Sequence, residues 1–206
     1  LHAHRIDSDL SDVELASFPC AYSAAENMLT RVGLAAGERV LITGASGGVG
    51  SAAVQLAKRR GAYVVAMAGT DKAQAVQALG ADQVVLRDAD LSAIFGADCF
   101  DAAVDSVGGT QFGSILNSLK QGGRYAVAGA IAGPMVDLDL RTLYLKDLRL
   151  IGCTVLDPQV FPNLIGYIER KEIKPCIAAT YGLFDIVAAQ EAFLSKRHVG
   201  KIVLAG

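Results

Sequence analysis

Residues 43–50 read Thr43-Gly44-Ala45-Ser46-Gly47-Gly48-Val49-Gly50, between the apolar run Arg39–Thr43 and the stretch Val49–Arg60, whose apolar residues fall at helical spacing. A strand that ends in glycines and passes at once into a helix has a physical use. Glycine permits the positive φ of a tight turn, lets the main chain approach a bound group, and allows close helix–strand packing. The first N–H groups of the helix and its dipole then face any anion held in the turn, a pyrophosphate above all. The stretch therefore predicts the first crossover of a βαβ unit with a dinucleotide site at its glycines. A ligand-free strand–helix turn is the alternative reading.

Outward from the turn the same rhythm repeats. Ala62–Ala68 is the next apolar run, followed by a helix over Lys72–Leu79 closed by Gly80, and a strand over Gln83–Leu86. Phe100–Val104, Thr110–Leu119 and Arg124–Ala128 repeat strand, helix, strand; Leu140–Lys146 is a helix candidate and Leu148–Val155 a further strand. Strands alternating with helices imply right-handed crossovers and a parallel sheet covered on both faces. The near-continuous apolar strands agree, because a parallel strand is buried on both sides. The fold class expected is α/β, a Rossmann-like, doubly wound, six-stranded parallel sheet.

The ends break the rhythm. Ser11–Val32 reads as a helix entry, with Ser11 and Asp12 as N-cap candidates and helical continuation over Ala24–Leu29 after Pro19. After Lys174-Pro175 come a strand-like Ile177–Phe184, a helix Ile186–Ser195 capped by Asp185, and a last strand Lys201–Leu204. Three parts are expected: 1–32, 33–170 as the dinucleotide-binding domain, and 171–206.

Composition narrows the class. The 206 residues are 52% hydrophobic and 19% charged, which predicts a large core rather than disorder. The net charge of −2 supplies no basic field for nucleic acid. Apolar runs such as Tyr63–Ala68 are far shorter than the roughly 20 residues of a membrane span. Cys20, Cys99, Cys153 and Cys176 form no C-x-x-C pair and suit a reducing, cytoplasmic setting. The first residue is Leu1, no signal peptide is evident, and the expectation is a piece of a longer protein.

Two enzyme families share these glycines. Read as Gly44, Gly48 and Gly50, the run resembles the turn of short-chain dehydrogenases, and Tyr167 with Lys171 spells that family's Y-x-x-x-K, with Thr154 near its serine position. Context opposes it. A long segment precedes Arg39, the fourth strand runs into Asp105-Ser106-Val107-Gly108 rather than N-N-A-G, and Pro175 follows Lys171 closely. An ordinary helix-surface pair is the simpler reading of Tyr167 and Lys171.

Read as Ala45, Gly47 and Gly50, the run resembles the medium-chain dehydrogenases and reductases, the zinc-type alcohol dehydrogenases and quinone oxidoreductases. Leu15–Thr30 is similar to their bridging helix, and Gly33–Gly50, Ala53–Lys58, Leu79–Asp82, Asp105–Gly109, Leu119–Gly129 and Val199–Leu204 follow in family order. The resemblance implies reversible hydride transfer between a nicotinamide and a carbonyl, alcohol, quinone or activated alkene, with a small-molecule substrate. It implies that the flanks are remnants of a GroES-like domain mostly outside this chain, and that the chain is a cofactor-binding fragment. It places Ala45, Ser46, Gly47, Gly48 and Val49 at the cofactor, Val107, Gly129, Ala130 and Thr154 near the nicotinamide half, and Lys201 at the pyrophosphate. Cys20 resembles the cysteine that completes a catalytic zinc site in zinc-dependent members, with an inert buried cysteine as the alternative. It also implies a homodimer through strand 148–155, unless Leu156–Leu164 covers that edge.

Other histidines and cysteines read blandly. His2 and His4 sit at the start of the chain, His198 reads as a surface residue before a glycine turn, and Cys99, Cys153 and Cys176 as small apolar residues. A catalytically silent Rossmann binding module is the rival from another class.

The cofactor expected is NADP(H). NAD-preferring sites place an acid about 20 residues past the glycine turn, where this chain has Met67-Ala68-Gly69-Thr70. Gly69 and Thr70 leave room for a 2′-phosphate, and Lys72 resembles the lysine that quinone reductases aim at it. Asp71 is the competing acid; it or Thr70 is expected to cap the next helix.

Overall fold

The structure is a computed structural model describing residues 4–206; His2 lies outside them. Six strands form one parallel sheet: β1 (Arg39–Ile42), β2 (Tyr63–Ala68), β3 (Gln83–Leu86), β4 (Phe100–Asp105), β5 (Leu119–Val127) and β6 (Arg149–Gly152). Their order is β3-β2-β1-β4-β5-β6, with Val40 opposite Val64 on one side and Ala102 on the other. The order reverses direction between β1 and β4, and a doubly wound sheet opens its ligand crevice at the carboxyl ends of the strands there.

Alternation along each strand divides the core in two. Val40, Ile42, Val64, Ala66, Ala102 and Val104 face one layer, where α2 (Pro19–Arg31), α3 (Gly48–Arg59) and α8 (Val160–Glu169) pack. Leu41, Val65, Met67, Ala103 and Tyr125 face the other, covered by α5 (Leu91–Phe95) and α6 (Phe112–Ser118). The first layer is pinned by the fully buried Glu26, which takes two bonds from the Arg60 guanidinium (2.8 and 2.7 Å) and one from the Tyr167 hydroxyl (3.2 Å).

Several boundaries differ from the sequence reading. The single entry helix is two: α1 (Asp12–Ala16), whose cap is Ser11 in a capping box with Glu14, and α2, which restarts at Pro19. The helix expected from Lys72 is a 3-10 turn (Thr70–Lys72) before α4 (Ala73–Ala78); its N-cap is Gly69, so neither Thr70 nor Asp71 caps it. The strand expected over 148–155 pairs only over 149–152. β7 (Ile177–Gly182) and β8 (Lys201–Ala205) form a separate parallel pair joined through α9 (Ile186–Leu194), at whose N-cap the Asp185 side chain makes no capping bond. α7 (Leu140–Leu145) leads into β6.

Candidate functional site

The glycine turn is built around contacts that leave no space for side chains. A Cβ on Gly50 would lie 2.2 Å from the Gly44 carbonyl oxygen and 2.6 Å from Ala45 Cα; one on Gly44, whose φ is +58°, would meet Val107 Cγ2 at 2.9 Å. The buried Ala45 donates its N–H to the Met67 carbonyl (3.0 Å), tying the turn to the end of β2. Gly47 is the N-cap of α3 without a side-chain cap, so the first N–H groups of α3 are not taken by a capping side chain.

The C-terminal segment closes on this turn. Gly200 donates its N–H to the Ser46 carbonyl at 2.9 Å, and Lys201 lays its Cδ 2.7 Å from where a Cβ on Gly48 would stand. The Ala21 methyl is 3.5 Å from the same point, so the first turn of α2, carrying the exposed Cys20, borders the turn from the other side.

Over the turn lies a cleft of about 460 Å³ that runs from Gly69 and Lys72 past Ser46–Gly50 to Val107, Ala128 and Ile131. A smaller recess opens beside it between Met67, Arg87, Val107, Gly108 and Gln111. Of the residues expected at a cofactor, Ser46, Gly47, Gly48, Val49, Gly69, Lys72 and Val107 line the cleft. Gly129 and Ala130 lie between its lining residues Ala128 and Ile131, and a Cβ on Gly129 would meet the Ser106 carbonyl at 2.7 Å. Thr70 is exposed outside the lining, and Thr154 is exposed just beyond β6.

Lys72 is 8% exposed and donates its ammonium to the Lys196 carbonyl, which makes it a held cation and not a solvated one. Arg87, Lys196 and His198 join it at that end of the cleft; Arg87 and Lys196 did not stand out in the sequence, and His198 was read as a surface residue. Arg87 follows β3 directly and sets Nη2 2.7 Å from where a Cβ on Gly69 would be; only the rule that strand ends converge on the crevice could have singled it out. The expectation for His198 is corrected: it is half-buried, stacked on Phe193 at 5.6 Å, with Nδ1 fully buried. Burial and then the charges of Lys72 and Lys196 hold its imidazole below its ordinary value. Asp71 is exposed and outside the lining.

The short-chain pair does not meet at this cleft. Tyr167 is buried, not on the helix surface, under the Arg59 guanidinium at 3.4 Å, while Lys171 pairs with Asp9 at 2.8 Å. Among the described residues no group of three or more His, Cys, Asp or Glu could hold a metal ion. Cys99, Cys153 and Cys176 have thiols pushed up by burial, and His4 stacks on Phe161.

Residues 48–170 match the family profile of zinc-binding dehydrogenases. The chain belongs to that family. It is 31% identical over 202 residues to acryloyl-coenzyme A reductase of Metallosphaera sedula, covering 97% of this chain and 60% of the relative. The structure of a putative alcohol dehydrogenase from Sinorhizobium meliloti 1021 superposes with a TM-score of 0.93 at 48% identity, covering 98% of this chain and 57% of that one. A 2-octenoyl-CoA carboxylase reductase, solved in complex with NADP and 2-octenoyl-CoA, superposes at 0.88 with 26% identity, covering 96% and 51%. The chain thus spans a little over half the length of these relatives. No helix in it is long and apolar enough to cross a membrane.

Proposed function

We propose that this chain is the cofactor-binding part of an NADP(H)-dependent oxidoreductase acting on a carbonyl, alcohol, quinone or activated alkene. The observation that carries the reading is the pairing, along one cleft, of a turn whose glycines have no room for a Cβ with a cation set, Lys72 and Arg87, beside Gly69. A dinucleotide fits these residues: the first N–H groups of α3 and the Lys201 ammonium would hold its pyrophosphate, and Lys72 and Arg87 a 2′-phosphate. The cofactor supplies the hydride when bound; the protein supplies orientation and electrostatics.

The residues divide by their place along the cleft. Met67, Gly69, Lys72 and Arg87 surround the adenosine half; Val107, expected near the nicotinamide half, shares a recess with Met67 and Arg87 and so borders both. Val49, Ala128, Gly129, Ala130, Ile131 and Thr154 serve the nicotinamide half, at whose border Cys20 stands. Cys20 by itself is one thiol and not a zinc site; in a longer parent it would be one ligand. On this reading 33–170 is the cofactor domain, 1–32 and 171–206 face the substrate domain, and the protein is cytoplasmic.

The exposed apolar residues Leu150, Val155 and Leu156 on and beyond the edge strand β6 support a homodimer through 148–155. Light scattering that finds only monomer at high concentration would exclude it. The function is tested by melting the chain with NADPH: free ligand at about 100 times Kd stabilises by about 2.7 kcal/mol. An unchanged Tm at saturating NADPH contradicts the proposal.

A further inference from the structure

We propose that Asp105 is a positioning residue for the cofactor, acting through the loop Ser106–Gly109. The inference rests on the proposed dinucleotide site. Asp105 ends β4 beside the sheet's reversal point and is 0% exposed. Asp105 itself lines neither the cleft nor the recess, but its carboxylate holds residues that do: Val107 lines both, and Thr43 and Gly108 line the recess. Oδ1 accepts three bonds: from the Thr43 hydroxyl (2.5 Å), the Val107 N–H (2.7 Å) and the Gly108 N–H (3.1 Å). Oδ2 accepts the Tyr125 hydroxyl at 2.5 Å. Thr43 Oγ1 in turn accepts the Ser106 N–H at 3.2 Å.

One acceptor-only group therefore gathers donors from the ends of β1 and β5 and from the loop after β4. The consequences reach the cleft within one residue. Val107 lines both cavities, and its Cγ2 stands against the place of a Gly44 Cβ. The Val107 carbonyl accepts the Ala132 N–H (2.9 Å), and Gly109 donates to the Gly133 carbonyl (3.1 Å), which fixes the loop after β5 as well. Release of Asp105 would free Val107 and Gly108 to leave the recess wall, and the glycine turn would lose the neighbour that sets its depth.

The test measures the Kd for 2′,5′-ADP and for NADPH, with the Tm, on the whole chain, below the Tm of each variant. Asp105→Ala removes every acceptor at once; a folded Ala variant should bind both ligands about tenfold more weakly, the size of one lost buried hydrogen-bond set. Asp105→Asn keeps an oxygen for the three Oδ1 donors and turns its NH₂ to the Tyr125 oxygen, so its Kd should stay within about threefold of wild type. A merely structural residue lowers Tm and leaves the Kd of the folded protein unchanged. Unchanged Kd values in a folded Asp105→Ala, or Asn as weak as Ala, overturns the inference. If Asp105→Ala does not fold, Thr43→Val carries the test, with about threefold weaker 2′,5′-ADP expected and an unchanged Kd overturning it. Wild-type protein that binds neither ligand contradicts the cofactor site itself and not the role of Asp105.

Discussion

Replacing Gly50 by alanine sets two effects against each other. Gly50 lies inside α3, where alanine is favoured over glycine by about 1 kcal/mol through backbone entropy. The new methyl would stand 2.2 Å from the Gly44 oxygen and 2.6 Å from both Gly44 C and Ala45 Cα, all main chain. Relief requires the turn to move away from the helix, and overpacking that shifts backbone costs about 3 kcal/mol. The clash wins by about 2 kcal/mol, a fall in Tm of about 4–8 °C for a chain of this size. Gly48→Ala is the control: its methyl meets Lys201 Cδ at 2.7 Å, the movable part of a long side chain, and Ala21 at an ordinary 3.5 Å. Gly48→Ala should therefore keep its Tm and lose cofactor affinity, because Lys201 is pushed off the turn. Calorimetry on both variants decides. A Gly50→Ala Tm at or above wild type, or a Gly48→Ala Tm that falls as far, refutes the contact argument.

Two further outcomes follow from buried groups elsewhere. Glu26→Ala strands Arg60 in a layer where the lost carboxylate was 1% exposed, so it should destabilise by about 3–5 kcal/mol, read from urea midpoints. A loss of stability under about 1 kcal/mol would show that water replaces the carboxylate. His198 contributes to acid sensitivity. Its folded-state value lies below the ordinary 6.5 through burial and then Lys72 and Lys196. The unfolded chain therefore binds that proton first, and stability falls as pH drops below 6.5 toward the folded value. His198→Gln should flatten that limb of the Tm–pH curve; parallel curves would assign the slope to other groups.

The sheet was legible because parallel strands buried on both faces leave unbroken apolar runs, and Val40–Ile42, Val64–Ala68 and Ala102–Val104 are such runs. The glycine turn was legible because its chemistry is local in sequence. Helix ends were less so: Gly69 caps the 70–72 turn through backbone conformation alone, without the side-chain signature that Thr70 and Asp71 advertise. A helix was read at Tyr167 only as a surface pair with Lys171; the start and the buried face of α8, Val160, Leu164, Tyr167 and Ile168, were missed because they adjoin a proline-containing stretch that reads as loop. Arg87 escaped notice, and His198 was read as a surface residue, for a different reason. They reach the cleft from elements over a hundred positions apart, and only the closed fold brings both side chains to one end of it beside Lys72.

The central claim is that the cleft over the glycine turn takes a 2′-phosphorylated dinucleotide through Lys72 and Arg87. Paired calorimetric titrations of the chain with NADPH and NADH, repeated on Lys72→Ala, test it most directly. A charge-assisted bond contributes about 1.5–3 kcal/mol, so wild type should prefer NADPH by about tenfold or more and Lys72→Ala should lose most of that preference while its NADH affinity holds. NADH bound as tightly as NADPH, or more tightly, by the wild-type chain would contradict the account.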